Sequence, residues 1–319
     1  MTREVGSRTS GAVAARARFS GPGLLSRIES CSDREATDGL RIDFVRGADF
    51  RMRQTGRRRD LEIFEAGAPN WWDPAGPMAG LHLLNPVRSE YFRQRLKRAG
   101  ARCVIELGCG GGILTSSLED GPWTLCAQDL LPGPLAAARA HLTRACLVRC
   151  DAAWLPFRAQ SFDTVLSSDF LEHAADLRAV VAESARVLRP GGLFLYETVN
   201  RTLLSLIVGK VLLEWLFRYV PVGTHRFRDF ILPEELHALM EEYGIRNLET
   251  FGVIPERGVL RSLMARSAHP FRLDPGRLSG IYLGCGRLET PVSSPGRLPS
   301  SNRGATPGTC SLRTGSPGT

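Results

Sequence analysis

The stretch Cys103-Val104-Ile105-Glu106-Leu107-Gly108-Cys109-Gly110-Gly111-Gly112-Ile113-Leu114 decides the fold of this chain. The short apolar run Cys103 to Leu107 reads as a buried parallel strand. Four glycines follow within five residues, and Thr115, Ser116 and Ser117 open a helical pattern. Glycine permits a tight turn and leaves no Cβ between the backbone and a ligand. Strand, glycine loop and helix N-terminus together form a cradle of nucleotide size. The dinucleotide pattern G-x-G-x-x-G is incomplete, because Gly108 and Gly110 fit it but Ile113 stands where the third glycine belongs. Glu106, at the end of the strand, would repel a pyrophosphate. It suits a ligand that carries a sulfonium and an ammonium group. The local chemistry points to S-adenosylmethionine rather than to NAD.

Downstream residues extend the cradle. Thr124 to Ala127 reads as a second strand, ended by Gln128-Asp129. An acid about 20 residues past the glycines is placed to hold a ribose diol; the alternative is a cap for a helix over Leu135 to Leu142. Leu147 to Arg149 reads as a third strand. After it, Asp151 is placed to accept the adenine amino group, with the Ala152 N–H on a ring nitrogen. A fourth strand, Phe162 to Ser167, leads into Ser168-Asp169-Phe170-Leu171-Glu172-His173. The spacing of Asp169, Glu172 and His173 is i, i+3, i+4, which predicts one helix face just past a strand's C-terminal end. Ala175 to Val187 reads as a helix stopped by Arg189-Pro190-Gly191-Gly192, and Leu193 to Glu197 as a fifth strand. Arg246 to Phe251 and Gly280 to Leu283 read as strands completing the sheet. The alternation predicts an α/β fold with a mostly parallel sheet and right-handed crossovers.

The bulk numbers exclude little and exclude it clearly. The chain has 319 residues, 43% of them apolar, and a formal net charge of +8. Mapped along the chain, that charge is +6 over residues 1–59, −3 over 60–265 and +5 over 266–319. The mildly acidic centre carries no electrostatic footprint for nucleic acid. Lys97 and Lys210 are the only lysines, so the arginine-rich ends reflect codon usage in a GC-rich genome better than a nucleic-acid role. Eight cysteines show no C-x-x-C pair and predict a reducing compartment. Residues 1–59 and 290–319 lack periodicity and are expected to be disordered, leaving a domain at 60–289. No secretory leader is read at the N-terminus. The expected location is the cytoplasm, at the inner membrane surface, or the matrix side of the mitochondrial inner membrane.

Two further segments are informative. Trp71-Trp72-Asp73-Pro74 reads either as a core lid or as a wall of the pocket. Residues 203–220 are strongly apolar, with Lys210, Glu214 and Arg218 in one narrow stripe. Central charges make a span unfavourable, so 203–226 is expected to be a lid or a peripheral membrane contact.

From Asp60 to Arg287 the chain resembles the UbiG family, the S-adenosylmethionine-dependent O-methyltransferases of ubiquinone biosynthesis. The resemblance is carried by Trp71-Trp72-Asp73-Pro74, Leu81-His82-Leu83-Leu84-Asn85-Pro86-Val87-Arg88, the glycine loop, Leu171-Glu172-His173 and Arg189-Pro190-Gly191-Gly192. It continues through Thr198-Val199-Asn200-Arg201-Thr202 and Val220-Pro221-Val222-Gly223-Thr224-His225. It implies the class I methyltransferase fold, a Rossmann-like, seven-stranded sheet with helices on both faces and a helical lid insertion. It places cofactor contacts on Arg88, Gly108, Asp129 and Ser168, and magnesium ligands on Asp169, Glu172 and His173. Asp169 and Glu106 exchange one acid for another relative to the family, and Ser168 replaces a methionine found in some members. The acceptor implied is the phenol or catechol of a polyprenylated quinone precursor. Another small-molecule or lipid acceptor is the alternative. Methyl transfer needs the acceptor oxygen aligned and anionic, either through a divalent metal or through His173 as general base with the acids shaping the site.

Overall fold

The computed structural model describes residues 58–207, 226–256 and 270–289. The expected extension up to residue 57, the tail from 290, and residues 208–225 of the expected insertion lie outside the described residues. The stripe of Lys210, Glu214 and Arg218 lies outside them as well.

Among the described residues two α-helices precede the sheet, α1 (Arg58–Gly67) and α2 (Ala79–Ala99). The parallel half then runs β1 (Cys103–Leu107), α3 (Ile113–Leu118), β2 (Thr124–Asp129), α4 (Pro132–His141), β3 (Cys146–Arg149), β4 (Phe162–Ser168), α5 (Leu177–Val187) and β5 (Leu188–Val199). A short helix, α6 (Leu203–Leu206), follows β5. The second half comprises α7 (Pro233–Glu242), β6 (Ile245–Pro255), β7 (Phe271–Asp274) and β8 (Ile281–Leu288). The strand order is β3-β2-β1-β4-β5-β8-β6-β7. The first five strands pair in parallel, and β8 enters antiparallel between β5 and β6. The expected seven strands become eight, because Phe271-Arg272-Leu273-Asp274 adds an edge strand to β6. Four residues are too few to display a strand period.

β1 is buried along its whole length, as a parallel strand covered on both faces must be. Its period of two divides it between two cores. Cys103, Ile105 and Leu107 join Val180, Phe194 and Met240 on one face. Val104 joins Phe92, Leu96, Leu114 and Leu195 on the other, the face covered by α2 and α3. Chain order reverses between β1 and β4, since β2 and β3 lie to one side and β5 to the other. Ligands of doubly wound sheets bind at this reversal, outside the strands' C-terminal ends.

α2 begins twelve residues before the helix expected at Tyr91 and runs through Pro86. Proline removes the N–H that the His82 carbonyl would accept. Tertiary contacts offset the loss: Leu84, Arg88, Tyr91, Phe92 and Leu96 are all buried. Gly100 ends the helix in the left-handed region at φ 61°, its N–H donating to the Leu96 and Lys97 carbonyls. Among the described residues, no helix is long and apolar enough to cross a membrane.

Candidate active site

The glycine loop wraps the end of β1 with Gly108, Gly110 and Gly112 at positive φ of 66°, 54° and 82°. Backbone bonds hold its shape: Cys109 N–H donates to the Gln128 carbonyl (2.9 Å) and Gly112 N–H to the Cys109 carbonyl (2.9 Å). The Gln128 side chain accepts the Gly108 N–H at 3.2 Å. Aromatic rings lie directly on the loop. A methyl carbon placed on Gly110 would fall 2.3 Å from Trp71 Cζ2, and one on Gly108 would fall 2.4 Å from Phe170 Cδ2. Trp72 Nε1 donates to the Gly111 carbonyl at 2.8 Å. Trp71 is buried and packs directly on the glycine loop, as the lid reading expects.

On the sheet face covered by α2, the period of two aligns Glu106 of β1, Ser168 of β4 and Glu197 of β5. Ser168 and Glu197 are register partners, and Glu106 pairs with Leu166. α2 lowers Arg88 onto this row. Arg88 is 3% exposed; its Nη1 donates to Ser168 Oγ and to Glu197 Oε2, both at 3.4 Å, and its Nη2 to the Leu81 carbonyl at 3.2 Å. The Ser168 hydroxyl also donates to Glu197 Oε2. Glu106 is buried, accepts from Thr115 Oγ1 at 2.6 Å, and has its pKa pushed up to about 7 by loss of water; the Thr115 bond and Arg88 oppose the shift. Burial raises Glu197 too, against the pull of Arg88. Sequence reading missed Glu197. The available signal was its parity, an acid closing an apolar strand just as Glu106 closes β1.

Asp129 and Asp151 stand at the ends of β2 and β3, beside the loop. Asp129 Oδ2 accepts the Gly110 N–H at 2.8 Å and Oδ1 the Leu131 N–H at 2.9 Å, while desolvation raises its pKa. It ties the loop to the next strand; α4 has Leu131 as its N-cap residue and no side-chain cap. Asp151 Oδ1 accepts the Ala153 N–H at 3.0 Å, an Asx turn, and Ala152 is buried next to it. Asp151, Asp129, Gly108 and Ser168 thus stand at or just past the C-terminal ends of β3, β2, β1 and β4, which are neighbours in that order in the sheet.

The expected helix face of Asp169, Glu172 and His173 is corrected. Asp169 sits in the left-handed region at φ 55°, outside any helix, and Leu171–His173 is a single 3₁₀ turn. With three residues per turn, neighbouring side chains diverge by about 120°. Glu172 turns inward, 2% exposed, and accepts from Thr198 Oγ1 at 2.8 Å. Burial, then the charge of Asp169, push its pKa well above the ordinary value. His173 turns toward α1, its ring edge-on to Phe64 at 5.0 Å between centroids. Among the described residues no group of three or more His, Cys, Asp or Glu is arranged to hold a metal ion. The expected magnesium set does not fit as placed. A cavity of about 380 Å³ adjoins Glu172, with Leu171, Leu177, Ile231, Leu239 and Arg201 in its wall.

Comparison with known proteins settles the family. The Methyltransferase domain family matches residues 105–196. Ubiquinone biosynthesis O-methyltransferase of Xylella fastidiosa (strain M23) is 35% identical over 208 residues, which cover 64% of this chain and 84% of that protein. The chain belongs to the ubiquinone biosynthesis O-methyltransferase family. Its namesake from Xanthomonas axonopodis pv. citri (strain 306) is 38% identical over 202 residues, covering 62% of this chain and 84% of that protein. Among solved structures, a SAM-dependent methyltransferase from Thermotoga maritima superposes with a TM-score of 0.52 at 18% identity, over 72% of this chain and all of that one. That likeness shows the shared fold, the class I Rossmann-like methyltransferase. This member of the ubiquinone biosynthesis O-methyltransferase family is an S-adenosylmethionine-dependent enzyme. The matched domain runs from β1 into β5 and holds the glycine loop, Asp129, Asp151 and Ser168. Trp71, Trp72 and Arg88 come from the helices before it.

Proposed function

We propose that the enzyme methylates a phenol or catechol hydroxyl of a polyprenylated quinone precursor in ubiquinone biosynthesis. One observation carries the reading: β4 delivers Ser168 to the row beneath Arg88 and, five residues on, His173 to the rim of the same strand end. A cofactor contact and a basic side chain for the acceptor then share one edge, beside the glycine loop. The donors fit S-adenosylmethionine, since Arg88 suits its carboxylate, the surrounding acids its cationic groups, and Asp129 and Asp151 its adenosine.

When bound, S-adenosylmethionine supplies a methyl group on a sulfonium leaving group. The protein's part is to orient the acceptor and move a proton. His173 would take the phenolic proton and leave the acceptor oxygen as the nucleophile for the methyl group that bound S-adenosylmethionine would supply. Glu172, turned inward onto Thr198, anchors the turn that carries His173. Trp71 and Phe170 exclude water by covering the loop.

A polyprenyl acceptor is hardly soluble, and the proposal includes a reversible contact with the bilayer surface. Its support is the exposed apolar side chains of α6 and its C-cap residue, with Leu203 72%, Leu204 50% and Ile207 53% exposed, shortly beyond β5. Such side chains each gain about 1.5–3 kcal/mol on full burial. Cells lacking the protein are expected to accumulate a hydroxylated, unmethylated quinone precursor, and the purified enzyme to methylate that compound. An unchanged quinone profile with no methylation of the precursor in vitro overturns the acceptor assignment.

A further inference from the structure

We infer that Glu197 is a cofactor-binding residue whose Oε1 accepts a hydrogen bond from the α-ammonium group of S-adenosylmethionine, next to the Arg88 guanidinium that faces the cofactor's carboxylate. The inference rests on the reading that Arg88 and Ser168 face the methionine end of the cofactor.

Glu197 is the third residue from the end of β5, on the α2 side of the sheet, and is 1% exposed. Its two oxygens are used unequally. Oε2 accepts from both Arg88 Nη1 and the Ser168 hydroxyl. Oε1 is buried and has no hydrogen-bond partner among the described residues. A buried carboxylate oxygen without a donor is costly, and in native proteins such an atom calls for an explanation, a ligand among them. The missing donor has to be cationic or strongly polar, and it has to arrive beside Arg88. An α-amino acid end satisfies both conditions, because its carboxylate pairs with a guanidinium while its ammonium, one carbon away, needs an acid.

The nearby acids are less available for that role. Thr115 occupies Glu106 Oε2, and Glu106 pairs in register with Leu166, one full pleat deeper than Glu197, which pairs with Ser168. Asp129 has both oxygens committed to backbone N–H groups. Glu172 belongs to the opposite side of β5, where Thr198 meets it. Among the described residues, Glu197 is therefore the buried acid on the Arg88 side whose oxygen is left without a donor, Asp169 beside it being only partly buried.

The test is a thermodynamic cycle by titration calorimetry, with full-length wild type and Glu197→Gln, on S-adenosylhomocysteine and its deamino analogue. Wild type is expected to bind the amino compound about 10-fold or more tighter than the deamino compound, the scale of a hydrogen bond to a charged group. In Glu197→Gln that preference should shrink to about 2-fold or less. 5′-Methylthioadenosine, which has no amino-acid end, should bind both proteins equally, which a merely structural defect would not allow. A full amino preference in Glu197→Gln overturns the inference, as does an equal affinity of wild type for the two compounds. If Glu197→Gln does not fold, Glu197→Ser is put through the same cycle and the wild-type comparison still decides against the inference when the affinities match. Absence of any S-adenosylhomocysteine binding to wild type would instead overturn the cofactor-site reading on which the inference rests.

Discussion

Trp71 and the glycine loop make a quantitative prediction. A methyl carbon on Gly111 would lie 2.3 Å from Trp71 Cδ1 and Cγ and 2.9 Å from Trp71 Nε1, and those are its nearest neighbours. Gly111 does not have a positive φ, so Gly111→Ala carries no left-handed backbone cost and isolates the steric clash. Overpacking of a buried site costs about 1–3 kcal/mol. For a domain of this size that is a fall in Tm of roughly 2–12 °C. Trp71 is 5% exposed, so Trp71→Ala alone should cost about 3–5 kcal/mol. In the Trp71→Ala background the obstruction is gone, and adding Gly111→Ala should then cost close to nothing. The coupling expected between the two positions is thus about 1–3 kcal/mol. Urea unfolding of the four proteins, followed by tryptophan fluorescence and circular dichroism, measures it. If Gly111→Ala costs the same with and without Trp71, the ring is not what requires glycine there, and the account of the lid resting on the loop is wrong.

Glu106 should make stability depend on pH. Its pKa is raised from 4.5 to about 7, so its contribution is fully present below pH 4.5 and is lost as pH rises toward 7. The loss is roughly 3 kcal/mol, and Glu106→Gln should flatten that part of the curve of unfolding free energy against pH. His173→Ala is expected to lower kcat by about 10²–10⁴, while wild-type turnover persists in excess chelator; abolition by the chelator would restore the metal reading. Replacing Leu203 and Leu204 with glutamate should reduce co-sedimentation with anionic liposomes and leave Tm within a few degrees, because both side chains are exposed. Undiminished sedimentation would remove α6 from the membrane contact.

Local signals in the chain carried much of this protein. Alternating strand and helix periods, with four glycines after β1, were enough to specify a mostly parallel sheet with a glycine loop at the end of its first strand. Those signals are legible because each lies within a few residues along the chain. The Trp-Trp-Asp, Asn-Pro-x-Arg and Asn-Arg segments carried the family. What depends on register was decided only by the tertiary structure. Ser168 and Glu197 meet because β4 and β5 pair with those two residues opposite each other, 29 positions apart in sequence. Arg88 reaches them because α2 continues through Pro86, where propensity argued for a break and buried contacts outweighed it. The spacing of Asp169, Glu172 and His173 suggested one helix face, yet a left-handed residue and a 3₁₀ turn sent Glu172 and His173 to different surroundings. Side-chain direction follows backbone dihedrals, which the packing around Phe170 and Thr198 selects, and spacing along the chain does not encode that packing.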